Sequence, residues 1–159
     1  MILISHRGNT EGKITSRENC PRYIQEALDI GYDVEVDTWA ADSKLFLGHD
    51  FPQYEIEEDW LAERIDRLWI HCKNLKALEW FGKKSDFNYF WHQKDDFTLT
   101  SRGFIWAYPG KQLTTNSVCV MPEVVDFKYK EEELRMCVGI CSDYVSNYKT
   151  YTAVCHKEG

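Results

Sequence analysis

Val34-Glu35-Val36-Asp37-Thr38 alternates apolar and acidic side chains. Successive side chains of an extended strand point to opposite faces, so Glu35 and Asp37 share one face and Val34 and Val36 the other. Reading backward, Tyr23, Ile24, Ala27 and Leu28 recur at helical spacing between Pro21 and Gly31, with Glu18-Asn19-Cys20 offering a polar start. Farther back, Ile2-Leu3-Ile4 runs into Ser5-His6-Arg7-Gly8, the pattern of a buried strand that delivers polar residues at its C-terminal end. Reading forward, Leu45-Phe46-Leu47-Gly48-His49-Asp50 returns across a polar turn as a short extended leg. Ile56, Trp60, Leu61, Ile65 and Leu68 form an apolar stripe that predicts a helix over 55–67, with acids in its first turn where the helix dipole favours them. Residues 68–73 read as a third strand, and Asn74 caps a third helix carrying Leu75, Leu78 and Phe81 before Gly82. This alternation predicts parallel strands joined by crossover helices.

Beyond residue 85 the alternation thins. Segments 87–92, 97–100, 104–108, 117–121 and 138–141 are strand-like, and only 130–136 between them has a helical pattern. The 159 residues suit a single domain over 1–159, long enough to bury a substantial core. Twenty-six acidic residues against 19 basic ones give a formal charge of -7, which disfavours coating nucleic acid or an anionic membrane. No stretch approaches the roughly 20 apolar residues of a membrane helix, and the expectation is a cytoplasmic protein. The six cysteines form no dense framework and read as reduced, partly buried thiols. Cys137, Cys141, Cys155 and His156 include four potential zinc ligands, but their spacing is not that of a zinc finger, and core thiols are the simpler reading. Residues 148–159 fit a terminal strand, a helix or a loosely held tail.

Polar residues sit where strands end: His6-Arg7, Glu35 with Asp37, and His49-Asp50. Parallel α/β folds gather the C-terminal strand ends on one face, so these sets are expected to converge. Taken singly, Glu-x-Asp describes a solvated strand face and His-Arg-Gly a decorated turn. Together, two histidines can serve as acid and base, carboxylate oxygens can hold a hard divalent cation, and an arginine can fork onto phosphate.

Ser5-His6-Arg7-Gly8, Glu18-Asn19, Gly31-Tyr32-Asp33-Val34-Glu35-Val36-Asp37 and His49-Asp50, in this order, resemble the glycerophosphodiester phosphodiesterase family of phospholipase C-like phosphodiesterases. Phe104-Ile105-Trp106-Ala107-Tyr108 looks like that family's late tryptophan-bearing strand, and Gly139-Ile140-Cys141-Ser142-Asp143 is similar to its closing segment. The resemblance implies a (β/α) TIM-type barrel. Because an eight-unit barrel takes about 250 residues, the expectation is a reduced barrel with fewer helices in its C-terminal half. Trp69, Trp80, Trp91 and Trp106 would then cover its bare exterior or a dimer contact, or fill the core.

By the same resemblance, His6 and His49 are the general acid and base, Arg7 clamps phosphate, Glu35 and Asp37 bind a divalent metal, and magnesium or calcium is that metal. Glu18 matches an acidic position near the site or simply caps a helix. The family's Glu-x-Lys pattern appears here as His71-Cys72-Lys73, which keeps the catalytic lysine at Lys73 and replaces the third metal carboxylate. His71 then either ligates the ion, favouring manganese or zinc over calcium, or stands behind the ligands with waters filling the sphere; alternatively Glu123 or His92 reaches in from another strand. The function implied is metal-assisted hydrolysis of a small, glycerophosphodiester-like substrate. The alternative is a noncatalytic phosphate- or sugar-phosphate-binding relative.

Overall fold

The computed structural model describes residues 1–125 and 129–152. Ten strands form in chain order: β1 (Ile2–His6), β2 (Asp33–Ala41), β3 (Lys44–Leu47), β4 (Tyr54–Ile56), β5 (Leu68–Cys72), β6 (Tyr89–Trp91), β7 (Phe97–Leu99), β8 (Ile105–Ala107), β9 (Ser117–Val120) and β10 (Gly139–Ser142). The α-helices among the described residues are α1 (Pro21–Ile30), α2 (Glu58–Ala62), α3 (Leu75–Gly82) and α4 (Glu131–Met136), with 3-10 turns at Pro122–Val124 and Val145–Tyr151. Local chemistry explains several boundaries. Pro21 starts α1, and Gly31 stops it in a left-handed conformation, φ 112°, its N–H bonded to the Leu28 carbonyl. Asn74 caps α3 by accepting from Ala77 N–H at 3.0 Å.

β2 organises the sheet because its nine residues are long enough to change partners along their length. Its beginning lies parallel to β1, its middle parallel to β5, and Thr38 to Ala41 pair antiparallel with β3. β1 is parallel to β10, β10 to β9, β9 to β8, and β5 to β6, while β4 and β7 run antiparallel to β3 and β8.

The expected reduced (β/α) TIM-type barrel is not what forms. The chain builds one mixed ten-stranded sheet, a curled half-barrel rich in strand and poor in helix. Strand-helix alternation, already interrupted where β3 and β4 follow β2 directly, ends at α3; from there to β9, short turns join β6 to β9 without a helix. No ladder joins β6 to β8 among the described residues. The physical reason is length: too few residues separate these strands for a crossover helix. The helix expected over 55–67 is also corrected. Residues 54–56 instead pair with β3, which satisfies its open backbone edge, and α2 is confined to five residues. Ile56 and Leu61 stay buried either way.

Alternation along each strand separates two apolar layers. Val34, Val36 and Ile70 face outward and meet Ile24, Leu28, Ala77 and Phe81 of α1 and α3. Ile4, Trp69, Phe90, Trp106, Val118, Val120 and Cys141 fill the concave side. Curling brings distant strands together there: the Phe90 ring on β6 lies 4.6 Å from Trp106 on β8, and Trp106 lies 5.9 Å from Trp69 on β5. Trp69 and Trp106 are therefore core residues. Trp80 is half-buried on α3 and donates to Glu58. A smaller cluster of Leu113, Cys119, Leu134, Cys137 and Ile140 lies under α4. No helix among the described residues is long and apolar enough to cross a membrane.

Candidate active site

The concave layer changes character at the C-terminal strand ends. Ile4 is followed two residues on by His6, and Trp69 by His71 and Lys73, so on β1 and β5 the period-two face that is apolar below becomes ionic above, while on β2 Asp33, Glu35 and Asp37 make it acidic throughout. A cavity of about 420 Å³ opens over this rim. His6, Arg7, Glu35, His49, His71 and Lys73 all line it, and Asp37 lies fully buried beneath. Every sequence-predicted site residue is thus gathered at one end of the sheet.

Asp37 is the electrostatic centre. Its Oδ1 lies 3.0 Å from His71 Nδ1 and 3.4 Å from Lys73 Nζ, and its Oδ2 lies 2.8 Å from Arg7 Nε. Burial would raise its pKa, but His71, Arg7 and Lys73 hold it well below the usual carboxylate range. Asn19 fixes its position twice over, donating to Oδ2 at 2.9 Å and accepting from the Asp37 N–H at 2.9 Å. Glu35, the other carboxylate of the pair, places Oε1 3.6 Å from His71 Nδ1 and Oε2 3.8 Å from His6 Nε2. Burial opposes protonation of His71, yet the hydrogen bonds and charges of Asp37 and Glu35 outweigh it and raise that imidazole to about 9.

His6 is oriented from behind. Its Nδ1 lies 2.8 Å from Asp143 Oδ1 at the end of β10, which leaves Nε2 toward Glu35. Asn9 braces Asp143 by donating to the same oxygen at 2.8 Å and to Glu18 at 3.0 Å. Burial pulls Asp143 upward, but hydrogen bonding and charge from His6, with Asn9 and Arg7, leave its pKa lowered. Glu18 also lies 3.4 Å from Arg7, so it holds the Arg7 loop rather than capping α1, whose N-cap is Cys20. Burial opposes the Arg7 charge, and Asp37, Glu35 and Glu18 more than restore it. Gly8 is required next to Arg7: it takes φ 96°, and a Cβ there would come within 2.7 Å of the Tyr23 ring.

His49 stands apart. It lines the cavity from the β3–β4 connection with a side chain 41% exposed, and its Nδ1 lies 2.7 Å from Asp50. Glu123 is occupied elsewhere: its Oε1 accepts from Ser142 Oγ and Asp143 N–H, both at 2.9 Å, so it braces the Asp143 turn. His92 does reach the cavity, beside Trp91, Gln93 and Tyr108. Burial, then the charge of His71, keeps its pKa below the ordinary value.

Sequence reading missed Asp143 as the partner of His6, Asn9 as the bridge between Asp143 and Glu18, and Asn19 as the anchor of Asp37. The quoted Glu18-Asn19 and Ser142-Asp143 pairs were the available signals, but their partners lie up to 137 positions away in sequence.

Glu35, Asp37 and His71 each offer one ligand atom, all within 4.8 Å of one another. That is about the span of two metal-ligand bonds. Glu35 Oε2 is buried without a hydrogen bond, the condition a cation would relieve, while Asp37 Oδ1 is met by His71 and Lys73. Among the described residues this is the one such cluster; Cys137 and Cys141 are buried free thiols, and Cys155-His156 lie outside the described residues. Comparison with protein-family models, with curated proteins and with solved structures finds no match, so what this site does is argued from its own side chains.

Proposed function

We propose that this pocket cleaves a small phosphodiester, in the manner suggested by motifs that resemble those of glycerophosphodiester phosphodiesterases. The observation that carries the reading is the placement of His6, held by Asp143, against the Glu35-Asp37-His71 cluster with Arg7 and Lys73 in the same cavity. Proton transfer, metal binding and phosphate charge compensation are thereby available around a single substrate-sized space.

The chemistry of each residue follows from its partners. A carboxylate only accepts, so Nδ1 of His6 carries the proton shared with Asp143, and Nε2 is the atom free to take a proton from an attacking hydroxyl. His49, similarly paired through Nδ1 with Asp50, is the group at the cavity mouth that can return a proton to a leaving alkoxide. Arg7 and Lys73 are the basic side chains of the cavity that can meet phosphate oxygens. Glu35, Asp37 and His71 would hold a divalent cation, which when bound polarises the phosphoryl group. The net charge of -7 is no obstacle, because the local lining governs anion binding. Cytosol is the compartment proposed, since Cys20, Cys72, Cys119, Cys137 and Cys141 are free thiols.

The test is a hydrolysis screen of glycerophosphodiesters, lysophospholipids and a bis-aryl phosphate, supplemented with divalent metals, with His6→Ala alongside. Metal-dependent turnover that falls at least about 10²-fold in His6→Ala is expected. Absence of turnover on every substrate, or near-native turnover in a folded His6→Ala variant, overturns the reading. A noncatalytic phosphate-binding role has one observation in its favour: His49 is exposed and makes its ion pair with Asp50 rather than with the buried cluster. Saturable binding of inorganic phosphate without turnover would select it.

A further inference from the structure

We propose that the Glu35-Asp37-His71 cluster is a nitrogen-ligated site, with His71 Nδ1 as a preorganised donor that biases it toward first-row transition cations such as Mn²⁺ or Zn²⁺ and away from Mg²⁺ and Ca²⁺. This deepens the metal part of the proposed function and stands on the geometry of the cluster, not on turnover.

Two contacts fix the imidazole. Its Nε2 lies 3.1 Å from the backbone carbonyl of His92, and a carbonyl can only accept, so Nε2 bears a hydrogen. In the metal-free chain Nδ1 donates to Asp37 Oδ1, 3.0 Å away, with Glu35 Oε1 at 3.6 Å; because Nε2 is committed to the carbonyl, Nδ1 is the nitrogen that would release its proton and present a lone pair to a cation. The ring is also stacked on Phe90, with centroids 5.1 Å apart and planes 8° from parallel, which opposes rotation of the donor away from the carboxylates. A ligating histidine whose other nitrogen is bonded to a backbone carbonyl is the usual arrangement for holding both tautomer and aim.

The cluster does not rest on acidic residues alone. Glu35 is 2% exposed and its Oε2 has no hydrogen-bond partner; Asp37 is fully buried, and its Oδ1 faces His71 Nδ1 and Lys73 Nζ. The donor set of two carboxylates and one imidazole is too poor in oxygen for calcium, which takes 6–8 oxygen ligands. Imidazole suits later first-row ions, whereas magnesium favours carboxylate, carbonyl and water. Arg7 and Lys73, both within 3.4 Å of Asp37, lower the negative charge available to a hard ion still further. The rival arrangement is a permanent imidazolium ion pair between His71 and Asp37 with no metal role.

The experiment titrates the metal-free full chain with Mn²⁺, Zn²⁺, Mg²⁺ and Ca²⁺ alone, by calorimetry, in wild type, His71→Glu and His71→Ala. Later metals bind more tightly to almost any site, so the informative quantity is the change in the Mn²⁺-to-Mg²⁺ affinity ratio. That ratio is expected to fall at least about tenfold in His71→Glu, and His71→Ala is expected to weaken Mn²⁺. Electron spin-echo measurements on the Mn²⁺ complex should show coupling to a ¹⁴N nucleus in wild type and in His49→Ala, and none in His71→Glu. An unchanged ratio, no ¹⁴N coupling in wild type, or coupling that survives in His71→Glu overturns the proposal. Should the His71 variants fail to fold, coupling that survives alanine substitution of each of the other four histidines assigns the nitrogen to His71, and its loss in any one of them overturns the proposal. These readouts separate the two proposals: nitrogen-ligated metal without phosphodiester turnover refutes only the function, and turnover with an unshifted ratio refutes only the metal site.

Discussion

His6 owes its aim to Asp143, and a hydrogen-bond partner of this kind is tested by changing its chemistry while keeping its shape. Asp143→Asn offers the imidazole an amide that can donate as well as accept, so Nδ1 loses its obligatory acceptor and Nε2 its defined role. Phosphodiester turnover should fall about 10²-fold while the unfolding midpoint changes little, because Asn9 can still bond the amide oxygen. Equal steady-state turnover in wild type and Asp143→Asn would remove Asp143 from the mechanism. The residue types themselves were readable: His6, Arg7, Glu35, Asp37, His49, His71 and Lys73 were all singled out, and all belong to one rim. Their partners were not, since the nearest polar atom of His6 belongs to residue 143 and no local pattern encodes that distance.

The Asn74 side chain hydrogen-bonds both β2 and α3, so its loss should be felt in both. Asn74 caps α3 through Ala77 N–H and also exchanges hydrogen bonds with the Ala40 backbone, donating to its carbonyl at 2.9 Å and accepting from its N–H at 3.2 Å. An ordinary N-cap contributes roughly 1 kcal/mol. Asn74→Ala, which also frees two backbone groups of β2, should cost about 2 kcal/mol in urea unfolding. A loss below about 0.5 kcal/mol would show that water replaces these bonds without penalty. The cap was legible in the sequence, and so were α1 and α4. The 55–67 stripe was not, because Ile56 and Leu61 bury equally well whether residues 54–56 are helical or paired with β3. Periodicity reports which side chains are buried; the open backbone edge of β3 decides which element buries them.

The concave aromatic layer supports the rim from below, with Phe90 stacked on His71, so the site depends on the packing beneath it. Trp69 meets Phe104 at 5.0 Å and Trp106 at 5.9 Å, and its Nε1 donates to Asp33 at 3.1 Å. Trp69→Ala should cost about 3–5 kcal/mol by chemical denaturation. It should also weaken metal binding, although Trp69 is not among the proposed ligands, because His71 follows it by two residues on β5. Unaltered metal affinity in a destabilised Trp69→Ala variant would show that the rim is held by its own ion pairs rather than by the layer beneath.

Alternation in Val34-Glu35-Val36-Asp37 was enough to place two carboxylates on one face, and polar residues after Ile4 and Ile70 were enough to place histidines at strand ends, because period two is a local property of extended backbone. What local pattern could not determine was how the strands close. A (β/α) barrel and a curled mixed sheet share the same run of parallel strands and the same polar ends. They differ in whether helices fill the connections and in which edges remain open, and both are settled by chain length between strands and by long-range backbone pairing. The orientation of His71 and the brace on His6 are likewise tertiary outcomes, since each depends on a partner far away in sequence, whereas His49 pairs with its own neighbour, Asp50.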